Sequence, residues 1–230
     1  MNIIEFIKEY QTLIGSFLAI FSTICLWYFK EAYDKRKQII NNKKEINDIF
    51  FMMARDTEEC VRDLVKYIPN IEKKILENEE EVHIFQHSKF NRIYINEERL
   101  FTLKQGLDFI LSQQIDIAIS SAKKFNSFME SIEAEPIFIF DITVKTIQSG
   151  LESKEKAFSD YKLSLKSYLK KLKFLLNNDI EKAQINVLRP VAALAPKYKE
   201  IYEKIPIEEI DEILDKEAEF ILIALKQDLT

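Results

Sequence analysis

The sequence predicts an all-α protein: a single N-terminal transmembrane helix followed by a cytoplasmic bundle of roughly four to six helices. Three observations predict it. Only three glycines occur in 230 residues, so few positions offer the positive φ of tight turns and phosphate-cradling loops, which argues against turn-dense β architectures and glycine-rich nucleotide sites. Apolar residues recur at three- and four-residue intervals along most of the chain, the spacing of one helix face. An uncharged run of twenty residues, YQTLIGSFLAIFSTICLWYF, extends from Tyr10 to Phe29 between Glu9 and Lys30.

At about 1.5 Å per helical residue that run reaches about 30 Å, the thickness of a bilayer's hydrocarbon core. Tyr10 at one end and Trp27 with Tyr28 at the other put amphipathic rings at the two headgroup levels. A cleaved secretory signal would need a basic start and a small-x-small site, whereas the start here, MNIIEFIKEY, is mixed in charge and no A-x-A follows the apolar run; a lipoprotein-type site at Cys25 is poor because bulky Ile24 precedes it. A pilin-like leader fails as well, since Gly15-Ser16-Phe17 has no basic leader before it and no glutamate after it. Orientation follows from flanking cations: Lys8 stands alone before the run, while Lys30, Lys35, Arg36, Lys37, Lys43 and Lys44 follow it. The expected topology is a single pass through the cell (inner) membrane with the N-terminus outside and the C-terminal domain cytoplasmic. Cys25 and Cys60 then stay thiols. The expected divisions are a short outer terminus (1–9), the span (10–29), a juxtamembrane helix continuing from it (30–68) and the bundle (69–230).

The juxtamembrane helix carries Ile39, Ile46, Ile49, Met53, Cys60, Leu64 and Ile68 on one stripe and is expected to end before Pro69. A shorter charged helix follows at 71–79. Residues 82–96 read as a loop with possible extended pieces, because β-branched and aromatic residues suit a hairpin as well. The next helix, 97–133, is capped by Asn96 and striped by Leu111, Ile115, Ala118, Ala122, Phe125, Met129 and Ile132, the seam of a coiled coil or bundle helix. Pro136 is expected to start a new element ended by Gly150; a buried helix is preferred to a strand over 137–149. Ser153 caps a helix to about residue 185, with Phe158, Tyr161, Leu165, Tyr168, Leu172 and Leu175 on its stripe. Pro190 and Pro196 bracket a break, and Pro206 opens a last helix with Ile210, Leu214, Ala218, Ile221 and Leu225 inward.

Two sets of residues are candidates for function. Gly15, Ala19 and Thr23 recur every four residues and form a small-residue face suited to transmembrane self-association. The six cations of residues 30–44 sit where anionic lipid headgroups would lie. Charge is otherwise uneven: residues 154–189 hold nine Lys and Arg against four Asp and Glu, residues 197–230 five against ten. The simplest reading is that the two elements face each other or are each a solvated face. Lys162, Lys166, Lys170 and Lys173 align on one strip, but it carries no arginine and no interleaved aromatics, so no nucleic-acid partner is expected. His83 and His87 share a face only on a helix, and a structural role is preferred to a metal site with Glu80 or Glu81. No nucleophile elbow, metal motif or cofactor motif is present, so no enzyme, cofactor or small-molecule substrate is expected. Richness in Ile, Lys, Asn and Phe fits an AT-rich, bacterial source. The expected function is a membrane-anchored helical interaction or scaffold protein that recruits a protein partner or self-assembles at the inner face of the bilayer. The alternative is a membrane-perturbing effector, a toxin or phage-defence component whose span oligomerises on triggering.

Overall fold

The computed structural model describes residues 3–76, 90–195 and 205–229, with the side chains of 3–7, 9, 12–14, 207 and 208 left aside. All regular structure among them is helical: α1 (Ile3–Leu76), α2 (Glu97–Lys104), α3 (Phe109–Ser149), α4 (Lys154–Leu175), a π-helical stretch (Leu176–Ile180), α5 (Glu181–Leu194) and α6 (Ile207–Asp228). The chain divides into two compact units, Met1–Glu45 and Ile46–Thr230.

The larger unit is an up-and-down bundle, and its side-chain pairs give the directions. Glu135 with Lys171 and Lys124 with Asp179 set α4 and the π stretch antiparallel to α3. Glu58 with Gln184 and Glu72 with Lys173 set α5 and α4 antiparallel to α1. Arg189 with Asp215 and Glu181 with Lys226 turn α6 back along α5. The expected stripe of α3, from Leu111 to Ile132, is buried at every position, together with Ile46, Phe50, Met53, Cys60 and Leu64 of α1, Tyr168 and Leu172 of α4, Val187 of α5 and Leu214 and Ala218 of α6. Burying one full-sized apolar side chain contributes about 1.5–3 kcal/mol, so this shared core, rather than helix propensity, holds the unit together.

Three prolines expected to break helices are absorbed by them. Pro69 lies within α1, which runs on to Leu76, so the separate helix expected at 71–79 is part of α1 as far as it is described, and Ile71 is buried in the core. Pro136 lies within α3 rather than starting a new element, and the helix preferred over 137–149 is its second half. Pro190 lies within α5, which continues to Leu194; Pro196 lies outside the described residues. At Pro136 the compensation is visible. A proline lacks the N–H that would bond to the carbonyl four residues back, here Ile132, and the buried Tyr168 hydroxyl donates to that carbonyl at 2.8 Å instead. Burial pushes the Tyr168 hydroxyl's pKa upward, so it stays a donor.

The helix expected over 97–133 is two helices. Gly106 takes φ 80° and Asp108 accepts from the Leu111 N–H at 2.8 Å, capping α3 afresh. The expected caps Asn96 and Ser153 accept from the Arg99 and Lys156 N–H groups, and Gly150 ends α3 at φ 66°. Residues 90–96 form an irregular strap across α3, and its backbone is served by side chains. The Phe90 N–H donates to Glu133 Oε1 at 2.7 Å, Asn126 pairs with both the N–H and the carbonyl of Ile93 at 2.9 Å, and Arg92 grips Glu133 at 2.6 Å. With those groups satisfied, the strap needs no ladder partner.

Candidate functional site

Residues 15–29 carry no charge and stand in α1 within the smaller unit. Every one of them except half-buried Cys25 is exposed, and the large apolar side chains Phe17, Leu18, Ile20, Phe21, Ile24, Leu26, Trp27, Tyr28 and Phe29 lie between 58% and 72% accessible. They point in all directions around the helix, since successive residues are turned by about 100°. A helix apolar on all sides has no polar face to offer water.

Two of the hydroxyls in this segment are satisfied by its own backbone. Thr23 Oγ1 donates to the Ala19 carbonyl at 2.8 Å and Ser22 Oγ to the Leu18 carbonyl, which removes the polar groups that an apolar solvent would penalise. Gly15, Ala19 and Thr23 are all exposed on one face, and nothing lies within 4 Å of where a Gly15 Cβ would be. A second backbone has room to approach along this face.

The structure is narrower than the sequence expectation in one respect. Among the described residues no helix is long and apolar enough to cross a membrane. From Gly15 to Phe29 the described apolar part covers about 22 Å at the helical rise, short of a hydrocarbon core of about 30 Å. The side chains of Thr12, Leu13 and Ile14, which extend the run toward Tyr10, lie outside the described residues.

The cation cluster is spread along the helix rather than gathered into a ring. Lys30, Lys37 and Lys44 recur every seven residues and share one face; Arg36 and Lys43 lie beside it. Lys35 pairs with Glu31 at 2.8 Å, and that hydrogen bond raises its pKa. Measured along the axis from Phe29, Lys30 to Lys37 fall within about 12 Å, whereas Lys43 and Lys44 are about 21 Å away, beyond a Debye length of about 8 Å outside the headgroups. The first four cations therefore suit headgroup contact better than Lys43 and Lys44 do.

Outside this segment, chemistry-bearing groups are scattered. His83 and His87, with Glu80 and Glu81, lie outside the described residues, and among the described residues no group of three or more His, Cys, Asp and Glu could hold a metal ion. Cys60 is buried and donates to the Asn91 carbonyl at 3.0 Å; burial pushes its thiol up to about 11, away from nucleophilic use. Glu58 is buried and accepts from Gln184 Nε2 at 2.9 Å. A groove of about 240 Å³ between α3 and α4 is lined by Ile139, Ile142, Thr143, Asp160, Tyr161 and Ser164. Sequence reasoning missed this groove, because it arises from how the second half of α3 meets α4. No protein-family model matches the chain, and neither the curated proteins nor the solved structures yield a match.

Proposed function

We propose that this protein is a membrane-anchored helical interaction protein: residues 10–29 hold it in the bilayer by a single pass, N-terminus outside, and the bundle, on the cytoplasmic side, recruits a protein partner or assembles with copies of itself. The observation that carries the reading is the contrast within α1 between residues 15–29, apolar and exposed on every face, and residues 46–71, where Ile46, Phe50, Met53, Cys60, Leu64 and Ile71 are buried on one side and Phe51, Met52 and Val65 stay exposed among charged neighbours. The uncharged sequence from Tyr10 to Phe29 is long enough for the full crossing, and the lysines and arginine after it support the orientation. The test is fractionation of the full chain against a form beginning at Glu31. The full chain is expected to stay in the pellet after an alkaline carbonate wash and to enter detergent, while the shorter form is soluble. A full chain released by the wash would refute the anchor.

The exposed face of Gly15, Ala19 and Thr23 supports a second reading, an effector whose span oligomerises and perturbs the membrane. Against it stands the lack of polar side chains to line a pore in an apolar span. Loss of membrane potential on expression of the full chain, abolished by Gly15→Ile with Ala19→Ile, would favour this second reading over a passive anchor.

A further inference from the structure

Of the two oppositely charged stretches, residues 154–189 and 197–230, the basic one meets the acidic one through Arg189 of α5. Lys171 and Lys173 of α4 pair with Glu135 of α3 and Glu72 of α1, and the carboxylates of Asp211 and Asp215 on α6 pair with Arg189. Among the outward residues of α4, Leu163, Lys166, Lys170 and Phe174 form one stripe, spaced three, four and four residues apart and so on one helix face. Lys166 and Lys170 are exposed and form no ion pair among the described residues. Outward on α6 is its counterpart: exposed Glu209, Glu212, Phe220 and Ile223 on one face with Glu219 at its edge, Lys216 being tied to Glu212 at 2.7 Å. Each face sets two large apolar side chains in its field of charge: Leu163 at 66% and Phe174 at 62% accessible on the basic face, Phe220 at 68% and Ile223 at 50% on the acidic one.

We infer that the basic face of α4 in one copy docks on the acidic face of α6 in a second copy. The charges are complementary in sign and comparable in number, and the stripes extend about 16 Å and about 21 Å along their helices. Apolar residues flanked by opposite charges give attraction and register together, as in charged coiled-coil seams. The contact joins two different surfaces, so it is heterologous and builds a ring if the rotation closes or a chain of copies if it does not. This deepens the self-assembly reading of the bundle given above and does not depend on the anchor.

The test is sedimentation of the full chain in detergent micelles at low and high salt, with a charge exchange. Wild type is expected to associate at 50 mM salt and to weaken at least about tenfold by 1 M, where the Debye length falls to about 3 Å. Lys166→Glu with Lys170→Glu carries two acidic faces, and Glu209→Lys with Glu219→Lys two basic ones. Each double variant alone is expected to be monomeric, and a mixture of the two to recover the assembly. That recovery requires both variants to be folded, which separates lost docking from lost structure. A wild type that stays monomeric at low salt overturns the inference, as does an assembly indifferent to salt and to both variants, which would instead point to the Gly15, Ala19 and Thr23 face. Either of these results leaves the carbonate-wash test of the anchor unaffected, and a chain that assembles but washes off the membrane removes the anchor alone.

Discussion

The segment 15–29 of α1 and the stripe of α3 draw on the same apolar residue types and end in opposite surroundings. On α3 the stripe Leu111, Ile115, Ala118, Ala122, Phe125, Met129 and Ile132 keeps to one face and is buried at every position, while Ile117, Ile119 and Phe128 beside it are half-buried. On residues 15–29 they occupy all faces, and nearly all are exposed. A stripe is satisfied by one protein neighbour; a cylinder is satisfied only when its whole circumference leaves water. The breadth of the apolar surface around the helix, more than its amount, decides which solvent the helix needs.

The largest test of that contrast is truncation on each side of it. Phe125→Ala opens a cavity in the shared core and is expected to destabilise the bundle by about 3–5 kcal/mol, whereas Phe21→Ala is expected to change bundle stability by less than about 0.5 kcal/mol, both read from urea denaturation of the full chain in mild detergent. Next comes a charge in the middle of the run. Phe21→Lys should disfavour membrane insertion by about 2.5–3.5 kcal/mol, seen as a shift toward the soluble fraction, while Phe101→Lys on the surface of α2 should leave fractionation unchanged.

The Cys60 thiol probes the buried side. Its pKa rises from 9.0 to about 11 on burial, so at pH 8 the thiolate fraction is lower by about a hundredfold and labelling with a thiol reagent in a Cys25→Ser background should slow at least that much relative to the denatured chain. The folded state holds this proton more tightly than the unfolded one. Its contribution is therefore full below pH 9 and lost as pH rises toward 11, which a urea titration at pH 8 and pH 10.5 would register as a lower midpoint at the higher pH.

Smaller effects sharpen the boundaries of the bundle. Tyr168→Phe keeps the ring but strips the Ile132 carbonyl of its donor, and is expected to cost about 1–3 kcal/mol. Gly150→Ala forces a side chain into the left-handed region at the end of α3 and is expected to cost about 1 kcal/mol, with nothing nearby to clash, so that backbone conformation alone accounts for it.

Most of what lies on one helix could be read from one helix. The stripe of α3, the caps Asn96 and Ser153 and the stop at Gly150 depend on residues within a turn or two of each other, and spacing encodes them. The prolines did not yield to the same reasoning. Interrupting a helix by proline costs about 3 kcal/mol, and whether the helix continues depends on burial beyond it, such as Ile71 after Pro69, and on donors from elsewhere, such as Tyr168 for Pro136. The break between α2 and α3 left a usable trace, Gly106 followed by the capping Asp108, whereas the π stretch at Leu176–Ile180 left none. For the candidate site, the apolar run and its small-residue face were legible because both are properties of a single helix. The charges of α4 and α6 were visible as an imbalance, but only the arrangement of helices shows that Lys171 and Lys173 pair with α3 and α1 and that Asp215 pairs with α5.

The hydroxyl of Tyr168 and the ring of Pro136 amount to one joint made from two parts of the chain. A descendant with an ordinary residue in the proline's place would bring a second donor to that carbonyl and make the tyrosine's hydroxyl dispensable, and one that lost the tyrosine's oxygen would leave the joint open. The two positions are therefore expected to drift together through evolution, and a paired change at both is the route by which this long helix could regain its own backbone bond at that carbonyl without weakening.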